Sequence, residues 1–104
     1  MYELKKLIRE FVAERGWKKY HNLKDLSIAL IIEASELLDI FKWRNVEKVE
    51  KNSELMLSLK EELADVIIYA LRLSDVANID VAQAVREKIK KNAEKYPANI
   101  RYEW

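Results

Sequence analysis

Cysteine is absent, which excludes disulfide frameworks and thiolate metal sites and fits a reducing, cytoplasmic setting. One glycine, Gly16, and one proline, Pro97, leave few places for tight turns, so long helices are favoured over strands. Abundant Lys, Glu, Leu and Ala point the same way. The only histidine, His21, does not stand three residues after a glutamate, so the Glu-x-x-His pairs of di-iron bundles are missing; zinc would want Cys or more His. Neither sign of charge dominates: 19 basic residues face 18 acidic ones, which argues against a general nucleic-acid binder. The apolar run at 28–32 is far too short to span a bilayer, and the first residues carry no signal-peptide pattern, so no membrane partner is expected. With no Walker A sequence or glycine-rich loop, any phosphate would have to be held by metal and lysines. A length of 104 residues sets a single domain, residues 1–104.

Apolar periodicity predicts an all-α, four-helix bundle. The first helix runs over 2–15 on Leu4, Leu7, Ile8, Phe11 and Val12, and Gly16 ends it. An aromatic connection follows, with Trp17, Tyr20 and His21. Asn22 or Asp25 caps a second helix read over 23–43, with Leu23, Leu26, Leu30, Leu37, Leu38 and Phe41 as core. The polar stretch 44–52 reads as a loop. Ser53 or Asn52 caps a third helix over 54–76, on Leu55, Leu59, Leu63, Val66, Ile67, Ala70 and Leu73. Asp80 caps a fourth, reaching Lys95, with Val81, Ala84, Val85 and Ile89 inward. The tail at 98–104 is too apolar to be freely solvated and is expected to dock on this chain or a partner. A chain this small gains from oligomerisation.

Two interruptions of the apolar pattern carry the chemistry. Glu33-Ala34-Ser35-Glu36 and Glu62-Leu63-Ala64-Asp65 each set two acids three residues apart, on one helix face, inside apolar segments. Taken singly, each acid is more often a solvated surface charge. Taken together the pattern repeats, and four converging carboxylates need a cation between them. Oxygen-only ligands suit Mg²⁺, with Mn²⁺ as the alternative. Trp43, seven residues after Glu36, is expected two turns along on the same helix face.

At this point the chain resembles the MazG-like all-α nucleoside triphosphate pyrophosphatases, in particular the dCTP pyrophosphatase branch. The resemblance rests on the E-x-x-E pair at Glu33/Glu36 and the E-x-x-D pair at Glu62/Asp65. Arg15-Gly16-Trp17, His21, Phe41-Lys42-Trp43, the stretch from Glu61 to Tyr69, Lys88 with Asn92, and Tyr96-Pro97 extend it, in matching order. It implies a fold assembled as a dimer or a dimer of dimers, with Glu33, Glu36, Glu62 and Asp65 as metal-binding, catalytic acids. It further implies that Trp17, His21, Trp43 and Tyr69 surround base and sugar, and that Lys88 and Asn92 reach phosphate or sugar. The expected activity is Mg²⁺-dependent hydrolysis of a nucleoside triphosphate, dCTP or a modified analogue, to the monophosphate and pyrophosphate. One position departs: where the animal dCTP enzymes carry a histidine nine residues before the tryptophan, this chain has Ile8. The rival expectation is a non-catalytic helical dimerisation or regulatory module.

Overall fold

The computed structural model describes residues 2–98. It holds α1 (Tyr2–Glu14), a 3₁₀ turn (Lys18–Tyr20), α2 (Leu23–Asp39), α3 (Val46–Glu50), α4 (Ser53–Val76) and α5 (Val81–Lys95), with no strand among the described residues. The four long helices stand in the order their periodicity dictates. The expected docking of the tail falls on residues that lie, from 99 on, outside those described.

Helix starts follow cap chemistry. Asn22, Asn45, Asn52 and Asp80 each accept, through a side-chain oxygen, the backbone N–H three residues on, at 2.8, 2.8, 3.0 and 3.1 Å. Each such cap contributes about 1 kcal/mol to its helix. At the end of α1, Gly16 takes φ 66°, the left-handed region where a β-carbon is disfavoured. Its N–H donates to Ala13 at 3.2 Å, and the N–H of Trp17 donates to Val12 at 3.1 Å. This pair of bonds closes the helix and reverses the chain, which fixes where Trp17 leaves α1.

α4 is the axis. α2 packs along it most extensively, and α1 and α3 pack on it as well, whereas α5 has no comparable contact with any other element. The buried apolar core is small: Val12, Leu26, Ile40, Val49 and Leu71. Many residues expected in the core are instead exposed, among them Leu7, Phe11, Leu38, Leu63, Val85 and Ile89. Periodicity identifies which stripe of a helix is apolar; it does not say whether the same chain covers that stripe.

Two further expectations are corrected. α2 ends at Asp39, not at Trp43. From there the bonds shorten to three-residue turns: Phe41 donates to Leu38, Lys42 to Asp39 and Arg44 to Phe41. Ile40 is buried at this turn, and Trp43 adopts φ 63°. The helical relation between Glu36 and Trp43 therefore does not hold. The supposed loop 44–52 contains α3, capped by Asn45, and Val49 in it is wholly buried. One turn of helix is too short to show a period, and it is the burial of one side chain against α4 that selects it.

Candidate metal centre

Because α2 and α4 lie side by side, the acids that interrupt their apolar stripes face each other. Glu33, Glu62 and Asp65 each offer a carboxylate oxygen, and these three oxygens all lie within 4.8 Å of one another. Glu36 stands outside this closest group, and its carboxyl acts on both Glu33 and Glu62. Burial, then the hydrogen bond and charge of Glu36, then the charge of Asp65 push Glu33 above the usual carboxylate range; the same causes in the same order raise Glu62. No ion pair to Lys or Arg relieves these acids among the described residues.

One oxygen of Glu33 and one of Glu62 are buried without any hydrogen-bond partner. A buried acceptor left unpaired costs free energy, so the arrangement fits an added cation better than the acids alone. The donors are oxygens only, the set that suits a hard divalent ion such as Mg²⁺ or Mn²⁺. Glu33, Glu62 and Asp65 could hold one.

Asp65 also lines a cavity of about 360 Å³ against α1, together with Ile8, Phe11, Trp17, His21 and Tyr69. Its walls are set by the turn after α1. Trp17 meets Phe11 edge to face at 5.6 Å, and the guanidinium of Arg15 sits 3.7 Å from the centre of the Phe11 ring. His21 follows the 3₁₀ turn, and its Nδ1 accepts from Nε of Arg72 at 2.9 Å. Burial, with the charge of Arg72 second, holds the imidazole below its ordinary pKa. Asp75 accepts two bonds from Arg9, at 2.6 and 2.5 Å, which tie α1 to the end of α4. The Arg9 bond keeps the Asp75 carboxyl below its usual range.

Of the site residues named from sequence, the structure thus gathers Glu33, Glu62 and Asp65, with Glu36 close enough for its charge to act on two of them, and sets Trp17, His21 and Tyr69 around a cavity that Asp65 shares. It does not gather the rest. Trp43 is 93% exposed on the turn beyond α2. Lys88 is exposed and Asn92 half-buried on α5, and none of the three lines this cavity. Arg72, buried and bonded to His21, was missed. Its signal was there: it follows Tyr69 by three residues and Asp65 by seven, which places it on their helix face.

An all-α protein with a carboxylate cluster between two helices, open to a divalent cation and bordered by an aromatic cavity, is the class that fold and site define. Residues 28–103 match the model of the MazG-like family. The chain belongs to that family. It is 33% identical over 101 residues to dCTP pyrophosphatase 1 of Mus musculus, covering 94% of this chain and 59% of that protein. With the Homo sapiens protein of the same name the figures are also 33%, 94% and 59%. The chain therefore spans about three-fifths of the length of the curated relatives it matches. Among solved structures it is similar to a pyrophosphatase from Archaeoglobus fulgidus, with a TM-score of 0.85 and 45% identity, covering 93% of this chain and 92% of that one.

Proposed function

We propose that the chain is a nucleoside triphosphate pyrophosphohydrolase that cleaves between the α- and β-phosphates, with a deoxycytidine triphosphate or a modified analogue as substrate. The observation that carries this is the carboxylate cluster with buried, unpartnered oxygens on Glu33 and Glu62, sharing Asp65 with the aromatic cavity. Glu33, Glu36, Glu62 and Asp65 would hold Mg²⁺ or Mn²⁺. Such an ion, when bound, neutralises phosphate charge and lowers the pKa of water. The chain's own share is placement. The cavity offers a base the rings of Trp17 and Tyr69, and Asp65, which belongs to both, sets that cavity beside the acids. Names borne by the relatives, dCTP pyrophosphatase and pyrophosphatase, support the same reading. Trp43 is assigned to base and sugar, and Lys88 and Asn92 to phosphate or sugar.

Assembly belongs to this proposal. A groove of about 710 Å³ between α1 and α4, lined by Leu4, Leu7, Met56, Leu63 and Ile67, is almost wholly apolar. Faces of this kind do not stay in water on a soluble monomer. A dimer or a dimer of dimers would cover them, and would bring α5 against a neighbour. The exposed faces equally suit the rival, a helical dimerisation module without chemistry. Pyrophosphate release, measured across a panel of ribo- and deoxyribonucleoside triphosphates with and without Mg²⁺, separates the two. Turnover that needs Mg²⁺, favours dCTP and disappears in Asp65→Asn is expected. Absence of release from every triphosphate would leave the rival standing.

A further inference from the structure

Arg72 and Ser74 are the polar residues buried with the apolar core of α4, and Arg72 is the charged one. A guanidinium has no lone pair to accept with and does not lose its proton in proteins. At 2.9 Å from Arg72 Nε, His21 Nδ1 must therefore be the acceptor. A neutral imidazole that accepts at Nδ1 carries its proton at Nε2. Arg72 is itself anchored: its terminal nitrogen is 3.5 Å from Asp75, whose carboxylate is gripped by Arg9 from α1. The order is a chain of constraints, from the α1–α4 bridge to Arg72, and from Arg72 to a ring that lines the cavity beside Trp17, Tyr69 and Asp65.

We infer that Arg72 is a positioning residue that locks His21 in its Nε2–H tautomer, so that the ring offers a fixed donor to a hydrogen-bond acceptor on a nucleoside in the cavity. The nucleoside part of this rests on the hydrolase reading above; the tautomer does not. Burial and the adjacent positive charge both disfavour the imidazolium, which keeps the ring neutral near pH 7. A fixed, half-buried donor discriminates, because a ligand without the acceptor leaves the N–H unpaired.

His21 is the only histidine, so ¹⁵N spectra of the ring give a single set of signals, with no nucleotide needed. The wild-type protein should show one neutral species protonated at Nε2 at pH 7. An Nδ1–H tautomer, an equal mixture or an imidazolium would overturn the inference. Arg72→Met keeps the aliphatic stem and removes the donor. It should release the ring to a tautomer mixture and raise KM for dCTP by about fivefold to a hundredfold, with kcat changed far less. Asp75→Asn, which loosens the anchor and leaves Arg72 in place, should move both readouts the same way and serves if Arg72→Met does not fold. A freed ring with unchanged KM would overturn the substrate role. The KM penalty of Arg72→Met should vanish on the analogue that lacks the contacted acceptor: a triphosphate with a base stripped of acceptors if the contact is to base, dideoxycytidine triphosphate if it is to sugar. A penalty retained on both would overturn it. A wild-type protein inactive on every triphosphate would sink the hydrolase reading, and the tautomer would still be decided by the spectra.

Discussion

Adding Mg²⁺ to metal-free protein should raise its melting temperature, and the rise should grow with pH. Glu33 comes from α2 and Glu62 and Asp65 from α4, so an unfolded chain does not hold the cluster and the ion binds the native state alone. For such a ligand the gain is RT ln(1 + [L]/Kd), about 2.7 kcal/mol at a free concentration of roughly 100 times Kd. At about 4–8 °C per kcal/mol for a domain of this size, the melting temperature should climb by about 10–20 °C. The pH dependence follows from the acids. Burial and Glu36 raise the native pKa of Glu33 and Glu62 above the unfolded value, so the native state binds more protons than the unfolded state between the two. Metal-free stability is then greatest below the unfolded carboxylate pKa and is lost as pH rises through the raised native one. Mg²⁺ takes the place of those protons, so its effect should be small at pH 5 and large at pH 8. In Glu62→Gln one like charge is gone; the metal-free variant should melt higher than wild type and respond little to Mg²⁺. Differential scanning fluorimetry at the two pH values measures all of this. A wild-type shift below about 2 °C at pH 8, or an equal shift in Glu62→Gln, would refute the metal centre.

Trp43→Ala should leave the melting temperature nearly unchanged, because the side chain is 93% exposed and packs little. It should raise KM for dCTP by about tenfold, the lower end of what a base–aromatic stack contributes; an unchanged KM removes Trp43 from the site. Val49→Ala takes two methyl groups from a wholly buried position and should cost about 1.5–2.5 kcal/mol in urea unfolding, while a cost below about 0.5 kcal/mol would mean that α3 is not held by that contact. Light scattering should give a dimer or tetramer at micromolar concentration, and a mass of 12.4 kDa would refute the covering of the apolar groove by a second copy.

The sequence by itself determined the helices and the pairing of the acids. Near absence of glycine and proline removes the means of making strands and hairpins, and apolar periods place α1, α2, α4 and α5 within a few residues. Asn22, Asn52 and Asp80 carry cap chemistry that acts over three residues, so it is readable locally. The acids were legible for the same reason: Glu33 and Glu36, or Glu62 and Asp65, share a face through helical geometry alone. What local rules do not reach, the tertiary structure decided. α2 stops at Asp39, Ile40 is buried at the turn that follows, and α3 packs on α4 with Val49 wholly buried; this is packing between distant segments, and Trp43 lies off the helix. The burial of two orphan carboxylate oxygens exists only once α2 meets α4. The bond from Arg72 to His21 joins residues 51 positions apart, and the cavity between α1 and α4 that turns Trp17, His21 and Tyr69 toward Asp65 is likewise a product of the fold. Hydrogen bonds and desolvation act between atoms in space, and for these residues nearness in space is set by the packing of α1 and α2 on α4.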